Sequence, residues 1–562
     1  LPGCDAITYY YDKADKLIFS QDGEQVTPEE WTFYLYDKVG RLVVQGTCKN
    51  SNTASVANSV VNVNFAPTGV SLGNSGYTST FEITSAVVHL VNYYDNYGFR
   101  EIIGFKNVPN FPDGTVEANG NLTGSIITVL DSNIKLYSAV YYDLKGNPLK
   151  KVSTNHMGGF DIITSTYNFM GKPLTTQHVH TATNKATQTQ LYTYIYDAHT
   201  ERLKKVTHKL NGGTAVTLAD NTYDKFGRLS KTARKELASL TDNYNYNIRS
   251  WITSISGTQF TENLTYTPNG NIASMQWITD GKTHKYTYTY DPLSRIKTAA
   301  YTGPTTTEKY QTAYSYDPHG NIETIERYGK TTASAYGIVD KLRMTYTGNQ
   351  LTNVTDAGTT VSLAESNDFK KGSTTNPGYA YNKNGAMTKD LNKNISSISY
   401  NSLSLPKSLT MISQTLPLTT TVNGAEVALT TGGRALASGS NITYSYTYAA
   451  DGRKLKVVQG SNTRDYAGNI IYENGSLKRI LVDGGYIEGG VYYFNLNDHL
   501  GNVRTVANAS GTAVQRDHYY PFGLPMAVTT SAEQDKQPYK YNGKEFDRSN
   551  GLNWMDYGAR HY

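Results

Sequence analysis

Two adjacent acid–histidine pairs, Asp498 with His499 and Asp517 with His518, have the residue types for general acid–base chemistry, since a carboxylate can orient an imidazole that titrates near neutral pH. Neighbours on a strand point to opposite faces, however, and no nucleophile is placed beside either pair, so catalysis there is not expected. His178 and His180, two residues apart, would share a strand face and could grip a metal. No third ligand lies near them in sequence, and a solvated face is the expectation. Cys4 and Cys48 could form one bridge but neither a disulfide framework nor a four-ligand zinc site. Trp31, Trp251, Trp277 and Trp554 could stack on sugars, although aromatic contacts between strands explain them more simply. The segment KELASLTD from Lys235 sets Leu237 and Leu240 at helical spacing but is short enough to be a loop. No catalytic, cofactor-binding or metal-binding residue is assigned.

Composition narrows what could position such residues. A length of 562 residues suggests three or four domains, a prior that fails if the chain is repetitive. Hydrophobic residues make up 38% of the chain and include its 47 tyrosines, which is lean for several thick cores and suits half-wet β surfaces. So many aromatic rings argue against disorder. The net charge of +5 comes without a basic run, so nothing points to nucleic acid. No run of about eighteen apolar residues occurs, and no membrane span is expected. The opening LPGC looks like a lipoprotein processing box, but no basic and apolar segments precede it, and a chance tetrapeptide is the preferred reading.

One phrase organises the chain: a Tyr-rich strand ending in Tyr-Asp, two variable residues, Gly, then Arg or Asn and an aliphatic residue. It is carried by Tyr36, Asp37, Gly40 and Arg41; by Tyr94, Asp95 and Gly98; by Tyr142, Asp143 and Gly146; by Tyr223, Asp224, Gly227 and Arg228; by Tyr290 and Asp291; and by Tyr316, Asp317 and Gly320. YNFMGKPL from Tyr167 repeats it, and weaker copies start at Tyr196, Tyr246, Tyr266, Tyr381 and Tyr448. The spacing is about 25 residues in the regular part, too short for a propeller blade. Helical and leucine-rich repeats fit worse still. Alternation in YTYIYD puts Tyr192, Tyr194 and Tyr196 on one strand face, the Asp and Gly suit a tight turn, and the Arg can pair across strands or stack on a ring. Each unit reads as a β-hairpin, and the signature reads as structural.

The phrase YDxxGR resembles the signature of the YD-repeat, or RHS-repeat, superfamily, from about Tyr36 to the end of the chain. Four ordered blocks sharpen the likeness by resembling the RHS repeat-associated core. Asp498, His499, Gly501, Asn502 and Arg504 lie in the first, Pro521, Phe522 and Gly523 in the second, Gly543 in the third, and Tyr557, Gly558, Arg560 and Tyr562 in the last. The resemblance implies an all-β fold, a spiralling antiparallel hairpin sheet closed into a hollow shell with the core region plugging one end. Bacterial members of the superfamily, the toxin-complex C components and RHS polymorphic toxins, enclose a variable C-terminal toxin, whereas the animal teneurins use the shell in adhesion.

The expected organisation is an irregular repeat region over 1–135, a regular array over 136–406, an insertion with a further repeat over 407–491, and the core plug over 492–562. About a dozen two-stranded units at about 4.8 Å per strand would make a ribbon of about 115 Å and a closed turn of about 18 Å radius. The function implied is encapsulation and delivery of a C-terminal toxin or other cargo in bacterial competition, with secretion or surface display. The alternative is a surface adhesion module that binds glycan or protein. Implied partners are the cargo, a secretion apparatus or carrier protein, and an immunity protein against the toxin. The self-cleaving aspartyl protease motif of the family would lie beyond Tyr562, so the segment itself is not expected to be an enzyme. Terminal repeats need a polar covering, and a cap upstream of Leu1 is likewise expected.

Overall fold

A strand such as Gln188–Tyr196 leaves its backbone groups unpaired along both edges, and the partner nearest in sequence costs the least loop entropy to reach. The computed structural model, which describes residues 3–106, 108–112, 118–370, 378–412, 419–422, 425–428 and 441–558, follows that local rule almost throughout. A first sheet holds 24 strands, from Thr8–Tyr11 to Gln350–Asp356, and a second holds 13, from Tyr379–Tyr381 to Ala513–Arg516. Successive strands pair antiparallel. Two small hairpins interrupt this order, and a third two-stranded pair, Glu545–Asp547 with Trp554–Asp556, follows it. The first, Val63–Phe65 with Tyr77–Ser79, lies between the paired strands Leu42–Cys48 and Val87–Asp95. The second, Thr419–Val422 with Ala425–Ala428, lies between Pro406–Met411 and Ile442–Tyr448. The break between the sheets falls between Asp356 and Tyr379, inside the stretch that reads as a regular array.

The signature residues build one recurring turn. The Asp317 backbone N–H donates to Asn321 O at 2.9 Å, while Gly320 N donates back to Asp317 O at 3.0 Å. The Asp317 carboxylate accepts from Asn321 N at 2.8 Å and from Asn321 Nδ2 at 2.7 Å, which fixes both arms. Gly320 has φ +91, a left-handed conformation that closes the turn beside a bulge between Ser315 and Tyr316. Open space surrounds the position where a Cβ would sit, the nearest atom being an Arg295 nitrogen at 3.8 Å. Gly320→Val is therefore expected to cost roughly 1–2 kcal/mol from backbone strain alone, read from the guanidinium unfolding midpoint. An unchanged midpoint would remove the turn from the stability account. Where the position carries serine, at Ser250, Ser294 and Ser404, the backbone keeps φ near this region, at 61, 62 and 55.

Tyrosine and arginine then tie each turn to its neighbours. The Tyr223 hydroxyl donates to Leu203 O at 2.7 Å, Tyr290 to Ile272 O at 2.8 Å, Tyr316 to Ile296 O at 2.7 Å and Tyr346 to Ile322 O at 2.8 Å. Each acceptor follows the turn of the preceding copy, so the hydroxyl clasps one hairpin to the last. Arg228 holds Asp224 with Nε at 2.7 Å from Oδ2 and lays its guanidinium over the Tyr246 ring at 4.7 Å. Arg41 and Arg295 do the same toward Tyr94 and Tyr316. Phenylalanine would cover the same apolar surface without the clasp. Tyr223→Phe should thus lower stability by about 1 kcal/mol in a denaturant titration, and no loss would show that the ring alone matters.

The copy at Tyr94 departs from this pattern. Gly98 does not take the left-handed conformation; it opens a short 3-10 turn, Gly98–Glu101, and Asp95 itself has φ 72. The Asp95 carboxylate is taken by Arg41, at 2.9 and 2.6 Å, and by Gly120 N at 2.7 Å, so it serves the previous copy rather than its own turn.

The second sheet is laid along the first in matching order. Near its start, Asp5 N donates to Lys383 O at 2.8 Å, beside the point where the last strand of the first sheet reaches back to that sheet's own start, Gln350 Nε2 donating to Gly3 O at 2.8 Å. Further on, Lys407 pairs with Asp131 at 2.9 Å, Leu130 N donates to Tyr448 O at 2.9 Å, and Asn469 Nδ2 donates to Gln190 Oε1 at 2.9 Å. Lys235 Nζ then reaches Ala509 O at 2.7 Å, and Tyr520 donates to Tyr328 O at 2.7 Å. Apolar side chains fill this seam, with Val206, Leu240, Phe260 and Trp277 from the first sheet packed on Ile470, Ile480, Phe494 and Leu496 from the second. A separate cluster around Phe19, Phe33, Phe99 and Phe105 underlies the start of the first sheet.

Candidate functional site at the seam

The core motif sits where the second sheet crosses the middle of the first. Asp498 is not on a strand but heads a turn after Val491–Asn497. Its carboxylate accepts from Leu500 N and Asn502 N, each at 3.0 Å, and from Asn502 Nδ2 at 2.9 Å; Gly501 has φ 83. This is the repeat turn again, buried instead of exposed. The expectation that Asp498 and His499 face opposite sides of a strand is corrected accordingly. Burial pushes the Asp498 carboxyl up, against the pull of Arg504, whose Nε lies 3.9 Å from Oδ2.

Placing Asp498 in the seam delivers its neighbours to the first sheet. His499 donates its backbone N–H to Glu262 Oε2 at 2.9 Å and brings Nδ1 within 3.1 Å of Oε1, with the Glu262 side chain wholly buried. Arg504 is enclosed by three rings, its guanidinium carbon 4.9 Å from the Trp277 centroid, 5.4 Å from Tyr519 and 5.6 Å from Phe260. Trp277 Nε1 donates to His518 Nδ1 at 3.0 Å, which makes that nitrogen an acceptor and leaves the ring neutral. The His284 ring stacks on Trp277 at 5.3 Å and stands 4.7 Å from His518. Burial, then His284 and Arg504, hold His518 well below the ordinary imidazole range, and burial with Arg504 and Lys282 brings His284 down to about 4.

Asp517 is likewise committed. Lys540 Nζ lies 2.6 Å from Oδ1 and Gln515 Nε2 donates to Oδ2 at 2.7 Å, with the Lys540 and Asp517 side chains 1% and 0% exposed. The two histidines thus tie this region to the first sheet, His499 through Glu262 and His518 through Trp277.

The later blocks close over this network. Pro521 and Phe522 occupy a tight turn in which Tyr520 N donates to Leu524 O at 2.9 Å and Gly523 has φ 93, and Phe522 meets Tyr314 edge-on at 5.0 Å. Any Cβ at Gly523 would lie 2.5 Å from the Tyr541 ring. Gly543 follows Asn542, whose N–H donates to Asn502 Oδ1 at 2.8 Å and whose amide donates to the Tyr557 hydroxyl at 2.8 Å. Gly558 N donates to Asp556 Oδ1 at 2.7 Å. Asp556 belongs to the small pair Glu545–Asp547 with Trp554–Asp556, apart from the large sheets, and binds Lys454, while Glu545 binds Arg464 and the Tyr466 hydroxyl. Arg560 and Tyr562 lie outside the described residues, as does most of the stretch from 407 to 441.

His178 and His180 do not lie on a solvated face. Both bond the Asp161 carboxylate, at 2.8 and 2.7 Å, and His180 is fully buried against Tyr472 of the second sheet. Burial alone would raise the Asp161 carboxyl, but these two hydrogen bonds hold it far down. Both cysteines are free, and burial pushes the Cys48 thiol up to about 12. Trp277 and Trp554 are buried, Trp31 packs on Tyr10 and Phe19, and Trp251 lies against Tyr266 and Arg249. Lys235–Asp242 holds only a 3-10 turn, Ala238–Leu240. Among the described residues, Asp340, Asp356 and Asp368 come within metal-sharing distance of one another, at 4.8 Å. Arg327 and Phe369 N engage Asp340, Lys341 N and Gly358 N engage Asp356, and Val361 N engages Asp368.

Sequence reasoning missed Glu262, His284, Lys540, Arg464 and Glu545, whose partners are far away in the chain. It also missed turns led by Asn155, Asn401 and Asn508, where the amide oxygen accepts the same two backbone N–H groups that Asp takes elsewhere. Allowing Asn for Asp and Ser for Gly in the phrase finds the turn at Asn401, which follows Tyr400; Asn155 and Asn508 follow Thr154 and Ala507, so the tyrosine must be dropped as well.

No protein-family model matches this chain, and no curated protein does. Solved structures do. A TcdB2–TccC3 crystal structure without the hypervariable C-terminal region is 13% identical, covers 100% of this chain and gives a TM-score of 0.64. A structure of the Photorhabdus luminescens Tc holotoxin pore with a mutated TccC3 is 14% identical, covers 99% of it and gives 0.60. The chain spans 26% and 28% of those two longer chains. Its two large antiparallel sheets therefore share the fold of about a quarter of a Tc toxin polypeptide.

Proposed function

We propose that the chain forms part of a hollow β-shell that houses a C-terminal toxin or other cargo and delivers it in bacterial competition, acting outside the producing cell. The observation that carries this reading is that the last strand of the first sheet meets that sheet's start, Gln350 Nε2 donating to Gly3 O, after which the second sheet runs over the first from the contact of Asp5 with Lys383. A ribbon that returns to its own start after 24 strands would have a circumference of about 115 Å and a radius of about 18 Å; a wall about 10 Å thick leaves roughly 13 Å inside. The likeness to TcdB2–TccC3, and the hypervariable C-terminal region which the name of one such structure mentions, support cargo at that end. In this reading Asp498, His499, Asp517 and His518 are packing elements and the segment is not catalytic. No helix among the described residues is long and apolar enough to cross a membrane.

Small-angle scattering of the purified chain tests the reading. A pair-distance distribution with the depleted short vectors of a shell is expected, and electron cryomicroscopy should show low density inside. A solid particle of the same mass would reject it.

A further inference from the structure

Among the described residues, six histidines contact a residue across the seam: His156, His180, His208 and His284 on the first sheet or its turns, and His499 and His518 on the second sheet and the segment after it; His89, which burial also lowers against Asp131, lines a cavity between the sheets further back. They divide by partner. His156 lies 3.4 Å from Asp465, which Lys456 also approaches at 3.6 Å; His180 bonds Asp161; His499 meets Glu262. A proton gained by any of these is met by a carboxylate.

The other three have no such partner. His208, fully buried, places Nδ1 2.8 Å from the Tyr492 hydroxyl across the seam, and Tyr192 packs on its ring at 4.5 Å. Asp483 acts on the neighbouring Tyr192, while burial is what lowers His208. His284 places Nδ1 2.7 Å from the Tyr301 hydroxyl, which in turn meets Glu308 at 3.4 Å; His518 accepts from Trp277. Around this last pair stand the cations Arg504, Arg516 and Lys282, while Glu262 and Asp498 are occupied by His499, Asn502 and Arg504. The second ring nitrogens of His208 and His284 are buried without hydrogen-bond partners, as are those of His180 and His499, so what separates the two groups is the carboxylate at the first nitrogen.

We propose that the seam is an acid-operated latch. Protonation of His208, His284 and His518 parts the second sheet and the core blocks from the strands Leu203–Leu210 and Ile272–Tyr290, while the carboxylate-paired His156 and His180 keep the earlier part of the seam closed. The idea rests on the seam itself and not on what the interior holds. The sign follows from burial, which lowers these imidazoles: the closed form binds fewer protons than the open one, so closure is full above pH 6.5 and is lost as pH falls toward 4. With His208 and His284 at about 4 when closed and 6.5 when open, the opening constant at pH 5 rises ~30-fold for each, or ~10³-fold for both.

Hydrogen–deuterium exchange on the whole chain, corrected for the intrinsic pH dependence of exchange, tests this. Between pH 7.5 and pH 5, peptides covering Leu203–Leu210, Ile272–Tyr290 and Gln515–Tyr520 should lose protection by at least about 30-fold, and peptides covering Lys135–His180 should not. A His208→Gln/His284→Gln chain, which keeps only His518 of the three, should lose much less protection at pH 5 than the unmodified chain. Equal loss across both regions, or no loss by pH 5, would overturn the latch. If the double variant does not fold, the comparison of the two regions in the unmodified chain decides alone.

Discussion

Lys540→Met is expected to lower the stability of the chain by about 3–5 kcal/mol, because it strands a buried carboxylate instead of removing a surface ion pair. The two side chains are 1% and 0% exposed and 2.6 Å apart, and among the described residues the one other donor to the Asp517 carboxylate is Gln515 Nε2, at 2.7 Å on the second oxygen. An exposed pair such as Lys106 with Glu101 would contribute about 0–1 kcal/mol at most. The cost in the variant is the desolvation of the abandoned partner, so it should be recovered when both members go. Lys540→Met combined with Asp517→Leu should return most of the lost stability, as volume-matched apolar replacements of buried pairs often do. Guanidinium unfolding gives the magnitude, and hydrogen exchange over Gln515–Tyr520 shows whether the loss is local to the core blocks. A single variant as stable as the parent would mean that water reaches Asp517 and that the pair is not a dry contact.

The contrast between these two kinds of ion pair also explains what could be read from the sequence. The repeat turn was legible because its whole hydrogen-bond set is local: Asp317 needs only Gly320 and Asn321, all within five residues. Strand faces were legible for the same reason, as the alternation at Tyr192 and Tyr194 leaves those two rings stacked at 6.3 Å. The tyrosine clasp was half legible. The ring's burial follows from its pattern, but the acceptor of its hydroxyl, Leu203 O for Tyr223, is set by the previous hairpin and has no mark in the sequence. The seam was not legible. Glu262 and His499 are 237 positions apart, as far as residues in unrelated domains, and only the return of the chain over itself makes them partners. His178 and His180 show the cost of reading locally, since a third partner was sought among near neighbours and Asp161 comes from the strand beside them.

Trp277 is buried at the seam against Arg504, His284 and His518, and Trp277→Ala is expected to cost about 3–5 kcal/mol through lost burial and the cavity left behind. Size is only part of its role. The indole N–H is the donor to His518 Nδ1, and its ring forms one wall of the Arg504 enclosure at 4.9 Å. Trp277→Phe keeps much of the volume but deletes the donor and weakens the cation–π contact, so about 1–2 kcal/mol should remain as a loss. Arg504 separates those two contributions. Its Nε and Nη2 are buried without hydrogen-bond partners, which makes the surrounding π faces its main compensation. In an Arg504→Met background the same Trp277→Phe change should therefore cost less, by about 0.5–2 kcal/mol, and that difference measures the ring–guanidinium coupling directly. Equal costs in both backgrounds would assign the whole effect to volume and to the His518 hydrogen bond. In that case Arg504 would owe its place in the seam to Asp498, 3.9 Å away, and the aromatic enclosure would be packing without an electrostatic share.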